Sequence, residues 1–222
     1  MSESPITLVC FAVREEAGAF QQSARNRPGI QVLITGMGRR NAESALRRGL
    51  ATVRPVLVVT SGFAGGLQPG LAAGTVLFAT DEPGLQQALL STGARPARFH
   101  CSERIAVTAS EKRELNTASG ADAVEMESEA ICAVCREQRI PSAIVRVVLD
   151  TAEEDLPLDF NRLLDAGHAL DAGKLALAIA KSPGAIPGLL RLRRRSRVMA
   201  QKLAGVLAQA LLGPRSNNQA AG

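Results

Sequence analysis

Short runs of β-branched and apolar residues alternate along this chain with longer stretches of helical period, and that alternation limits the fold more than any other feature. Ile6 to Phe11, Gln31 to Thr35, Val56 to Thr60, Thr75 to Ala79, Ile105 to Val107 and Ala143 to Val148 read as strands, near-continuous in apolar residues as buried parallel strands are. Glu15 to Ser23, Asn41 to Val53 and Glu125 to Arg139 read as helices, with Pro55 and Pro141 placed where a helix must already have ended. The expectation is an α/β fold on a largely parallel sheet. Two further helices are expected over 160–180 and 186–212, separated by Ser182-Pro183-Gly184, while positions 81–104 carry no clear period and read as irregular. At 222 residues the chain suits one domain over 1–212, with a flexible polar tail over 213–222.

Several functions are disfavoured at once. The chain has no apolar run of about 18 residues, so no membrane-spanning helix is expected. The start is acidic and its apolar stretch is interrupted by Arg14, Glu15 and Glu16, which is no secretory signal. Cys10, Cys101, Cys132 and Cys135 make a poor disulfide framework and fit a reducing cytoplasm. Cys132 and Cys135 form a C-x-x-C inside a helical run, where two small buried hydrophobes outweigh metal or redox work. With only His100 and His168, a histidine metal centre or a Ser-His-Asp relay is disfavoured, and no metal is expected. Scattered Phe residues without Trp or Tyr offer no platform for single-stranded nucleic acid.

The net charge of +5 conceals an asymmetry, because all 21 acidic residues lie at or before Asp171 while nine basic ones follow it. From 186 to 212, Leu189, Leu192, Met199, Leu203, Val206 and Ala210 recur at spacings of three or four among Arg191, Arg193, Arg194, Arg195, Arg197 and Lys202. This is an amphipathic helix with a basic collar. It suits docking on the sheet with its arginines in water, or peripheral contact with anionic lipid at the inner membrane face. Nucleic-acid binding is the weakest reading, since no such motif accompanies the charge.

Three constellations fall at strand ends, where α/β sheets place their ligand sites. Thr60-Ser61-Gly62-Phe63-Ala64-Gly65-Gly66-Leu67 follows a strand, and its glycines would let backbone N–H groups approach a ligand or form a tight structural turn. Ile34-Thr35-Gly36-Met37-Gly38-Arg39-Arg40-Asn41 has the same strand, loop, helix character. Ala123-Val124-Glu125-Met126-Glu127-Ser128-Glu129 sets three carboxylates at alternating positions where a strand gives way to a helix, either as a charged first turn or as a site. Asp150 follows a buried strand, either as a plain loop aspartate or as an acid/base group whose pKa partial desolvation would raise.

Together, Ala12-Val13-Arg14-Glu15-Glu16, Thr60 to Leu67, Val124 to Ser128 and Arg146-Val147-Val148-Leu149-Asp150 resemble the purine nucleoside phosphorylase and methylthioadenosine/S-adenosylhomocysteine nucleosidase superfamily, in order and spacing over most of the chain. The resemblance implies a three-layer α/β/α nucleoside phosphorylase fold with a mixed, largely parallel sheet. Met126-Glu127-Ser128, Leu156-Pro157 and the run Ser182 to Arg191 are similar to one branch, the hopanoid-associated phosphorylases, which implies adenine removal from adenosylhopane. Two alternatives stay open: a nucleosidase acting on soluble metabolites, and a catalytically idle relative that binds nucleosides or membranes.

By the same resemblance, Asp150 is the general acid toward purine N7 and Glu16 orients the nucleophilic water, with Glu15 as the alternative if the register slips. Glu127 grips the ribose hydroxyls and Met126 packs on the ribose. Glu125, Val124, Phe63 and Ala64 flank the substrate, and Gly65 and Gly66 line the anomeric side. No cofactor is implied, and cleavage by phosphorolysis, with phosphate as co-substrate, or by hydrolysis stays open: the name of the branch favours phosphate. The chain lacks the Gly-Asp-Pro phosphate loop of the hexameric phosphorylases and has Thr60 and Phe63 where they hold phosphate, which favours water. Arg39 or Arg40 would be the remaining source of phosphate charge, although at a helix start solvated surface groups are the favoured reading of both. No base-stacking aromatic stands around Ala109 to Lys112, and Leu149 replaces a small polar neighbour of the acid. The implied assembly is a homo-oligomer, a dimer or larger, taking a small-molecule nucleoside, lipid-linked or free.

Overall fold

The computed structural model describes residues 5–165 and 167–213; positions 214–222 of the expected tail lie outside the described residues. The central sheet runs in the order β2 (Ile30–Ile34), β1 (Thr7–Phe11), β3 (Leu57–Gly66), β8 (Ser142–Asp150), β4 (Val76–Thr80) and β5 (Arg95–Pro96). The first four are mutually parallel and β4 is antiparallel to β8. A side branch joins β7 (Ala123–Glu125) antiparallel to the end of β3 at Gly65 and Gly66, with β6 (Phe99–Cys101) parallel beyond it. The mixed, largely parallel sheet is as expected.

Strand alternation builds the layers. Val9 and Phe11 point to one face and pack with Phe20 of α1 (Arg14–Ala24), Leu89 of α3 (Pro83–Ser91), and Leu203 and Leu207 of α7 (Ile186–Leu212). Leu8 and Cys10 point to the other and meet Leu46 of α2 (Arg39–Leu50) with Ile131, Val134 and Cys135 of α5 (Ser128–Gln138). The result is the expected α/β/α sandwich. Cys135 behaves as a buried hydrophobe of α5, while Cys132 is half-buried; all four cysteines are free.

Four expectations need correction. Ile105 to Val107 is not a strand, because it has no ladder partner and forms the approach to α4 (Ala109–Ser119). That helix opens with a capping box, Thr108 Oγ1 accepting from the Glu111 N–H and Glu111 accepting from the Thr108 N–H. Residues 81–104 are not irregular: α3, β5 and β6 lie there, built from pieces too short to show a period. β3 does not end at Thr60 but continues to Gly66, so the glycine segment is strand rather than loop. The single helix expected over 160–180 is broken into a 3-10 turn, Phe160–Leu163, a Leu164 to Leu170 bridge, and α6 (Ala172–Lys181), capped by Asp171 accepting from the Lys174 N–H.

Candidate active site

The C-terminal ends of β1, β3 and β8 open onto one cavity of about 270 Å³. Its walls include Glu16, Phe63, Ala64, Gly65, Val124, Glu125, Met126, Glu127 and Asp150, so every site residue read from the sequence is brought together except Gly66. Gly66 instead packs on the backbone of β8, where an added Cβ would meet the Asp150 carbonyl oxygen at 3.3 Å. Met37, Ile105, Ala106, Leu156, Phe160 and Leu192 complete the apolar lining. Phe160, on the 3-10 turn, supplies an aromatic ring to the cavity from a region distant in sequence from Ala109 to Lys112, where the resemblance would place one.

One end of the cavity is an acidic cluster around Arg146, a residue of the β8 motif to which the sequence reading gave no role. Arg146 is fully buried in the middle of the sheet. Its Nη2 lies 2.5 Å from Glu125 Oε2 and 3.3 Å from Glu127 Oε2, and also donates to Thr60 Oγ1 at 3.1 Å. Its Nε has no partner. Burial opposes the guanidinium charge, but the Glu125, Glu127 and Glu16 carboxylates outweigh it and hold the group ionised.

Each carboxylate of the cluster is positioned differently. Glu125 accepts from the Glu127 and Ser128 N–H groups and from the Ser128 hydroxyl at 2.6 Å, so it anchors the start of α5 as well as Arg146. Glu127 accepts from the Gly38 N–H at 2.9 Å, tying the cluster to the loop before α2; Gly38 holds a φ of 84° that favours glycine. Burial raises the pKa of Glu127, with Arg146 opposing. Glu16 accepts from the Ala12 and Val13 N–H groups and, at 2.8 Å, from the Phe63 N–H of β3. Burial pushes its carboxyl up to about 7, against the pull of Arg146. Its neighbour Glu15 is exposed on α1. Gly62 closes the cluster: with φ at 143°, an added Cβ would stand 2.6 Å from Glu16 Oε1 and 2.8 Å from Arg146 Nη1. Only a glycine fits there.

The other end holds Asp150. The β3–β8 register shifts between Ala64 and Gly65, so that Gly65 pairs with Asp150 after Ala64 has paired with Val148. Such an irregularity re-aims the side chains beyond it. Asp150 is joined at 2.5 Å by the ammonium of Lys112 from α4, a fully buried lysine that the sequence reading did not single out as a site residue. Burial raises the Asp150 pKa and Lys112 works against that rise.

Arg39 and Arg40 are exposed at the start of α2, and Arg39 is paired at 2.5 Å with Glu129 on the surface, outside the cavity. Among the described residues Arg104 is the one basic residue in the lining, and it is engaged by Glu111 at 2.8 Å.

A model of the phosphorylase superfamily matches residues 97–181. The chain is 27% identical over 173 residues, 63% of its length and 75% of the relative's, to the 5′-methylthioadenosine/S-adenosylhomocysteine nucleosidase of Glaesserella parasuis. Among solved structures it is similar in fold to the futalosine hydrolase of Helicobacter pylori, with a TM-score of 0.71, 14% identity and coverage of 95% of this chain and 98% of that one. The methylthioadenosine nucleosidase of Campylobacter jejuni matches with a TM-score of 0.69 and 15% identity over 93% and 98% of the two chains.

Proposed function

We propose that this chain belongs to the phosphorylase superfamily and is an N-glycosidic enzyme that cleaves a purine nucleoside. The observation that carries the reading is the convergence of Glu16, Glu127 and Asp150 on one largely apolar cavity, with buried cations behind them. Breaking an N-glycosidic bond leaves positive charge on the ribose and negative charge on the departing base, so a carboxylate is needed at one end and a proton donor at the other. Glu127 meets the ribose hydroxyls and stabilises the cation, Met126 packs on the ribose, and Asp150 passes a proton to the base. Phe160, Ile105 and Leu156 form the apolar bed for the purine. Glu16, with its carboxyl near 7, is suited to take a proton from the nucleophile.

Water is the nucleophile in this reading, because Glu16 and Glu127 would repel a phosphate dianion and the single basic wall residue is engaged by Glu111. The finer reading is a 5′-modified nucleoside carrying an apolar, lipid-linked extension such as adenosylhopane. Its support is the surface next to the cavity. Over 172–212 eight basic residues stand with no acidic one, α6 has no buried side chain, and Leu177, Ile186, Leu190 and Val198 are exposed. No single helix among the described residues is long and apolar enough to cross a membrane, so lipid contact would be peripheral. A homo-oligomer belongs to the same proposal, and sedimentation as a lone 23.3 kDa species would remove it.

The test is adenine release from adenosylhopane, methylthioadenosine and adenosine, with and without phosphate. Wild type is expected to release adenine without phosphate, and Asp150→Asn to lose about 100-fold or more. Release that requires phosphate would replace hydrolysis by phosphorolysis; release from none of the three would reject the reading.

A further inference from the structure

We propose that Lys112 supplies, through Asp150, the proton taken up by the departing base, so that the acid of this site is a lysine and carboxylate pair. The inference rests on the glycosidic reading above and deepens it.

Lys112 lies in the first turns of α4, fully buried, and its Nζ donates to three oxygens: Asp150 Oδ2 at 2.5 Å, the Thr151 carbonyl at 2.8 Å and the Glu154 carbonyl at 2.6 Å. Three acceptors match the three hydrogens of an ammonium and leave none of them idle. A buried ammonium in contact with a carboxylate makes an ion pair, so the resting Asp150 is ionised and carries no hydrogen of its own to give. The other charges around the pair are already matched. Glu154 is held by both Nη atoms of Arg195 from α7, at 2.7 and 2.9 Å, and Asp155 accepts from the Ala109 N–H at the start of α4. Lys112 is therefore the direct counter-ion of Asp150, and the nearest acidic proton to the base site is on its Nζ.

The step balances. As the bond between C1′ and the base lengthens, the bonding pair moves onto the base and raises its basicity. An Nζ proton crosses to the Asp150 carboxylate, and the base takes that same proton from the resulting carboxyl. Lys112 is left as an amine, Asp150 as a carboxylate, and the base departs neutral. The water that adds to C1′ gives its proton to Glu16, and exchange with solvent returns a proton to Lys112. Asp150 touches the base; Lys112 acts through it as a positioning and proton-supplying residue.

The experiment compares pH profiles of adenine release by wild type, Lys112→Arg and Lys112→Met on the nucleosides named above, with thermal melting of each. Arginine keeps the positive charge but does not surrender its proton, so Lys112→Arg is expected to lose about 100-fold at every pH while Asp150 stays ionised. In Lys112→Met the buried Asp150 must carry its own proton. Its activity relative to wild type then survives on the acid side, and the alkaline limb moves down by about two pH units. A Lys112→Met profile lowered equally at every pH overturns the proposal. If that variant does not fold, Lys112→Arg decides alone, and wild-type turnover in it overturns the proposal. Wild type that releases no adenine overturns the glycosidic reading itself, an outcome distinct from either.

Discussion

The two ends of the cavity solve the same electrostatic problem with different cations. At the Glu127 end, which the proposed function gives to the ribose, Arg146 serves three carboxylates, Glu16, Glu125 and Glu127; at the Asp150 end, given to the base, Lys112 serves one, Asp150. Arginine stays charged under all working conditions and offers several donors in a rigid fork, so it is a fixed counter-ion that can hold a cluster. Lysine is a compact ammonium that can part with its proton. In the proposed reading the permanent charge holds the carboxylates that face the developing ribosyl cation, and the exchangeable one stands where a proton must move.

The largest expected effect comes from removing the permanent charge. Arg146→Met leaves three buried carboxylates without their common partner, and breaking a buried ion pair from one side costs about 3–5 kcal/mol. The variant is expected to melt far below wild type and to be inactive; denaturant unfolding and adenine release check it. If Arg146→Met folds with wild-type stability, the ribose end is not held by its arginine and the contrast with Lys112 collapses.

A smaller effect separates the ends by pH. Glu16 titrates near 7 in the fold against 4.5 unperturbed, so its protonated form is the one that folding favours. The stability it contributes is fully present below about 4.5 and is lost as pH rises through 7. The loss is about 3 kcal/mol in all. Glu16→Gln is expected to flatten that part of the dependence of unfolding free energy on pH between 5 and 8. Catalysis runs the other way: proton abstraction needs the ionised form, so wild-type turnover should rise through pH 7. In Glu16→Gln that limb should vanish along with about 100-fold of the rate. An acid limb that persists in Glu16→Gln would move the base role to another residue.

The contrast also marks what a sequence can disclose. The β1, β3 and β8 runs were legible because buried parallel strands are apolar on both faces, and the acids follow them directly in the chain. Arg146 left a trace, a charge inside Val145 to Leu149, which a buried strand accepts only with a partner. Lys112 left none. It sits on a short polar helix, and its meaning depends on a contact with a residue 38 positions away that only the folded chain creates. The same reason hid α3, α4 and the β6–β7 pairing, whose short segments are defined by caps and neighbours rather than by period. Ile105 to Val107 has strand composition but no edge to pair with, so composition lost to topology.

The smallest expected effect lies outside the cavity and tests whether burial, rather than pairing itself, gives these ion pairs their weight. Arg39 and Glu129 are as close, at 2.5 Å, as Lys112 and Asp150, yet their side chains are 43% and 54% exposed. In water such a pair is screened and must order two flexible side chains, so it is worth less than about 1 kcal/mol. Arg39→Ala should shift the melting temperature by a few degrees at most and leave the pH profile of adenine release unchanged. Loss of activity in Arg39→Ala would mean that this arginine reaches the substrate after all. The ends of the cavity would then no longer be its sole electrostatic determinants, and phosphate would regain a charge to bind.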